Sequence, residues 1–74
     1  MDKEQSSFFK RFGSIVRKLR FDKDMTLEDM GEFGFSPQHF QKIEAGKKAV
    51  NLYTAYRIAR TFRVKLRELT KDLE

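Results

Sequence analysis

Apolar residues along this chain recur at helical intervals. Phe8, Phe12, Ile15, Val16 and Leu19 stand at i, i+4, i+7, i+8 and i+11, one stripe of a helix predicted from about Ser7 to Phe21. Lys10, Arg11, Arg17 and Lys18 occupy its other faces. Leu27 and Met30 are one helical step apart, as are Phe40 and Ile43. Leu52, Ala55, Ile58, Ala59 and Phe62 form a further stripe, and Leu66, Leu69 and Leu73 a short last one. No stretch alternates long enough for a strand, and no repeat or low-complexity segment intervenes. The pattern predicts an all-α domain of five helices over residues 8–74, after a polar segment, 1–7, expected to be flexible.

Local signals concentrate between Thr26 and Gly46, in TLEDMGEFGFSPQHFQKIEAG. Thr26 is a helix cap with an acid, Asp29, three residues on, as in a capping box. Gly34 stops the first short helix in a backbone conformation open to glycine. Ser36 and Pro37 restart it, a hydroxyl at the cap and proline at the first helical position. Gly46 ends the second helix, and Asn51 caps the next one. Two short helices about a glycine turn form the helix-turn-helix pattern, whose second helix enters the DNA major groove.

Composition and charge narrow the picture. The 74 residues hold one domain and no cysteine, so packing or oligomerisation must supply the stability. No apolar run approaches the roughly 20 residues of a membrane span, and the polar start MDKEQSS is unlike a signal peptide. Together with the lack of cysteine, this leads to the expectation of a cytoplasmic protein. The formal charge is +5, which favours a polyanionic partner over an ordinary solvated surface. Its distribution is uneven: Asp22 to Gln41 carries −4, and Lys42 to Lys71 carries +7.

FGSIVRKLR, TLEDMGEFGFS, IEAGKK and YRIARTFRVKLREL together resemble the Xre-type, lambda-repressor-like helix-turn-helix family. The resemblance covers about Phe12 to Leu69. Within that family the length is most similar to the small controller proteins of restriction-modification systems. The resemblance implies a five-helix DNA-binding domain that acts as a homodimer on its operator, blocking or recruiting RNA polymerase. It also implies an ion pair between Arg20 and Glu44 that ties the first helix to the end of the third. Four positions depart from the family's pattern. Leu27 stands where glutamine is common, Gly31 where alanine is usual, Pro37 at the start of the reading helix, and Arg63 where glycine often closes the fourth helix.

If Phe40 and Ile43 face inward, Gln38, Gln41 and Lys42 face out, where glutamine pairs with adenine and lysine with guanine. The alternative is a plain polar face. His39, the only histidine, has no partner cluster for a metal and no nucleophile elbow beside Ser36, so DNA contact or simple exposure remains. Lys47 and Lys48 suit phosphate, and the cap N–H groups of Ser36 and Thr26 do so as well. Leu66, Leu69 and Leu73 are expected at a two-fold interface, together with Tyr53 or Phe35, although Leu69 also fits an internal core. Phe12, Phe40 and Phe62 lie on core stripes rather than on a base-stacking platform, while Phe8, Phe9 and Phe35 suit an edge or interface. No cofactor, metal or catalytic constellation is called for, so an enzyme is not expected. The rival is an antitoxin-type module that neutralises a partner protein.

Overall fold

The computed structural model describes residues 1–73, and these are helical without a strand. The helices are α1 (Lys3–Asp22), a 3₁₀ helix (Glu28–Phe33), α2 (Pro37–Glu44), α3 (Leu52–Thr61) and α4 (Arg67–Thr70). None of the described helices is long and apolar enough to cross a membrane.

The first helix begins at Lys3 rather than at Ser7, so the start expected from the apolar stripe moves into the 1–7 segment. Asp2 Oδ1 accepts from the Gln5 N–H at 2.8 Å while Gln5 Oε1 accepts from the Asp2 N–H at 3.1 Å. This reciprocal box satisfies two donors that a helix start leaves open. Thr26 and Asp29 form a second box, at 3.1 and 2.8 Å. The segment it opens is 3₁₀ rather than α. That segment has only six residues, and its Gly31 has no atom within 4 Å of where a Cβ would stand. Neither propensity nor packing at that position therefore favours a wider coil. Ser36 Oγ accepts from the His39 N–H at 3.0 Å, with Pro37 opening α2, and Asn51 Oδ1 accepts from the Thr54 N–H at 2.7 Å to start α3.

Four helical segments end in one way. A left-handed residue follows each of them: Asp24, Gly34, Gly46 and Arg63. After α1, for example, the Asp24 N–H donates to Phe21 O and the Met25 N–H to Arg20 O, both at 3.0 Å. These paired bonds close the last turn and satisfy its free carbonyls. Arg63, at φ 56°, adopts this conformation in spite of its Cβ, so its backbone is strained.

One core joins the helices: Phe12 and Val16 of α1, Met30, Phe35, Phe40 and Ile43, Ile58 and Ala59 of α3, Phe62, Leu69 and Leu73. Phe35, Phe40 and Phe62 stack edge to face, with centroids 5.3 and 6.4 Å apart. α1 crosses α2 at Gly13, where a Cβ would collide with Glu44 O and stand 2.5 Å from Ile43 O. Only glycine permits this backbone contact.

Three expectations change here. Leu73 is buried in the chain's own core at 5% exposure, Leu69 at 0% takes the internal-core place it also fitted, and Leu66 packs half-buried against them. Arg11 Nη1 donates to Leu73 O at 3.1 Å, holding the last turn on α1. These leucines therefore have no need of a second copy to leave water. Phe35 is likewise core. Leu52, assigned to the α3 stripe, is 74% exposed because it stands in the first turn, ahead of the buried positions Ala55, Ile58 and Ala59.

Candidate nucleic-acid interface

The cap at Ser36 and the stop at Gly46 leave α2 two turns long, with Phe40, Ile43 and Glu44 buried. At about 100° per residue, Gln38, Gln41 and Lys42 fall on the opposite side, and all three are exposed. His39 lies exposed on the flank between these faces. Two glutamine amides and an ammonium thus project together from a helix whose back is locked into the core. Glutamine offers paired donor and acceptor groups, and lysine a mobile positive charge.

Lys47 continues from the last turn of α2, its N–H donating to Lys42 O at 3.0 Å, and Lys48 follows; both are exposed. The Ser36 and Thr26 hydroxyls are exposed and act as caps, so their helix starts are ordered without any ligand. A cleft beside α2 is lined by Leu27, Gln41 and Ala45, with Arg17, Arg20 and Glu44. It brings the Thr26 end of the 3₁₀ helix to the outer edge of α2. Leu27 contributes a half-buried apolar wall there.

That cleft also exposes a residue the sequence reading passed over. Arg17 sat among the polar faces of α1 with nothing to single it out. Only the crossing of α1 over α2 places its guanidinium in the same cleft as Gln41 and Ala45. It lies 5.3 Å from the centre of the Phe21 ring, which positions it without an acid partner among the described residues.

Arg20 and Glu44 form the expected pair. Nε donates to Glu44 Oε2 at 2.7 Å and Nη2 to Oε1 at 3.0 Å, while Nη1 donates to Met25 O at 2.9 Å. The hydrogen bond to Glu44 raises the Arg20 pKa above its ordinary value, with desolvation acting against it. The pair fixes the last turn of α2 to the end of α1, and so aims the exposed face. Compared with known proteins, the chain matches no protein-family model, no curated protein and no solved structure.

Proposed function

We propose that this chain is a sequence-specific, double-stranded-DNA-binding transcription regulator of helix-turn-helix type, acting in the cytoplasm as a homodimer on a pseudo-palindromic operator. One observation carries this: α2 is locked to the core on one side and presents Gln38, Gln41 and Lys42 together on the other. α2 is the reading helix, and Lys47, Lys48 and Arg17 flank it as phosphate contacts. His39 and the caps at Ser36 and Thr26 stand at the edge of the same surface. No chemistry is performed on the DNA; the mechanism is occupancy, which blocks or recruits RNA polymerase. The resemblance to Xre-type, lambda-repressor-like helix-turn-helix proteins supports this at the level of residue pattern.

Base and phosphate contacts respond differently to mutation. Gln38→Ala should weaken an operator selected from random DNA by about 1–3 kcal/mol and leave a scrambled duplex nearly unchanged. Lys48→Ala and Arg17→Ala should weaken both duplexes alike and lower the salt slope by about 1 each. Titration at two salt concentrations separates these patterns. If no sequence is enriched from random DNA, or all three variants lose affinity in one pattern, the reading-helix assignment fails. The antitoxin-type rival, which the exposed Tyr53 and Tyr56 rings of α3 favour, then takes its place.

A further inference from the structure

Tyr53, Tyr56, Arg57 and Arg60 stand at i, i+3, i+4 and i+7 of α3, so they share one face. With Phe33, at the end of the 3₁₀ helix, and Thr61 they line one open hollow of about 390 Å³. Phe33, Tyr53 and Tyr56 are 41%, 67% and 44% exposed. Single apolar residues on a surface are ordinary, but three aromatic rings around one hollow are not. The hollow is also ordered. Arg57 Nη2 donates to Phe33 O at 3.1 Å, and its guanidinium lies 4.4 Å from the centre of the Phe35 ring. Arg60 Nη1 donates to the Tyr56 hydroxyl at 3.3 Å, and the two tyrosine rings lie 6.4 Å apart. Side chains held in place lose little entropy on docking.

We propose that this hollow docks a short acidic peptide segment of a partner protein, with an aromatic or leucine side chain set between carboxylates. Charge selects the acids. The only charged groups of the lining are the two guanidinium groups, and neither is in an ion pair among the described residues. Each has five N–H donors, and one of them is used in the bonds above, so donors remain for a carboxylate, which a guanidinium meets through two parallel bonds. The neighbouring chain adds to the field: between Glu44 and Glu68 it carries seven lysines and arginines and no acid. The rings select the apolar anchor, because tyrosine and arginine together carry much of the binding energy at protein interfaces. The open shape selects a peptide. A small anion would leave much of its surface in water, whereas a bound small ligand buries most of it. A nucleic-acid strand needs a groove that follows roughly 4–16 nucleotides, longer than one hollow. The hollow shares no lining residue with the cleft beside α2, so the proposal does not rest on the DNA reading.

Selection followed by titration tests the docking. A displayed library of random dodecapeptides is panned on the parent, with counter-selection on the Tyr53→Ala, Arg60→Ala double variant. Enriched sequences should carry two or more Asp or Glu around a Phe, Tyr, Trp or Leu. A labelled peptide of the consensus sequence should lose about tenfold or more in affinity for Tyr53→Ala and for Arg60→Ala, and the same when its carboxylates are replaced by amides. Tyr53 and Arg60 are exposed, so both variants should keep the parent's helical circular dichroism spectrum and its affinity for a random-sequence duplex. No enrichment, enrichment without acids, or an amide peptide that binds as well as the acidic one overturns the proposal. So do variants that bind the peptide as the parent does. Displacement of the peptide by an equimolar oligothymidylate, or a parent dimer that the peptide splits, gives the hollow to a nucleic acid or to a second copy and overturns it equally.

Discussion

Replacing Arg20 with alanine removes three hydrogen bonds and strands a carboxylate. The two side chains are only 8% and 5% exposed, and Glu44 loses both donors of a bidentate pair. Breaking a buried ion pair from one side costs about 3–5 kcal/mol, most of it the uncompensated charge. The adjoining cleft admits water to the abandoned carboxylate, which argues for the low end, about 3 kcal/mol. A domain of 74 residues has a total stability of roughly 4–11 kcal/mol, so this loss is a large fraction. With an unfolding entropy of about 2.1 cal/mol/K per residue, a loss of about 3 kcal/mol lowers the thermal midpoint by roughly 20 °C. Arg17→Ala, at an exposed position of the same helix, should stay within about 0.5 kcal/mol of the parent. The Arg20→Ala, Glu44→Ala double variant should lose less than the sum of the singles, by about 0.5–3 kcal/mol, because no charge is left alone. Thermal and urea unfolding of the parent, the three single variants and the double variant measure this directly. Equal, small shifts for Arg20→Ala and Arg17→Ala would refute the structural role. Titration is no substitute. The hydrogen bond to Glu44 raises the folded pKa of Arg20 above its already high ordinary value, so the arginine loses its charge, and the stabilisation with it, only as pH rises past that folded value.

Gly13→Ala should destabilise by about 1–3 kcal/mol, since the new Cβ meets the carbonyl oxygens of Ile43 and Glu44, which cannot swing aside; an unchanged midpoint would show that α1 and α2 do not touch there. Arg63→Gly should stabilise, because the left-handed backbone costs an L residue about 1–2 kcal/mol and glycine returns about 0.4–1 kcal/mol of that through its freer unfolded chain. The expected gain is up to about 1 kcal/mol, a rise of roughly 5 °C in the midpoint, and a fall would refute the strain.

Interactions that span three or four residues could be read without any structure. The Thr26–Asp29 box, the Ser36–Pro37 start, the Asn51 cap and the stops at Gly34 and Gly46 all lie where the residue types place them. Each side chain there meets backbone of its own turn, so nothing distant is needed. The same kind of signal, Asp2 followed by Gln5, stands in the first residues and starts α1 there. The stripes on α1 and α2 were legible because periodicity marks which face must leave water. What covers a face is another matter. Leu69 and Leu73 announced a need for burial, but only the docking of α4 on α1 decided that the protomer meets it alone. Arg17 acquired a place beside Gln41 only through the crossing at Gly13. Tyr53 and Tyr56 share one hollow with Phe33, where Arg57 bridges α3 to the 3₁₀ helix. Periodicity and capping are properties of one turn of chain. Contact between turns far apart is settled by how all the buried faces pack at once, and no single stretch carries that information.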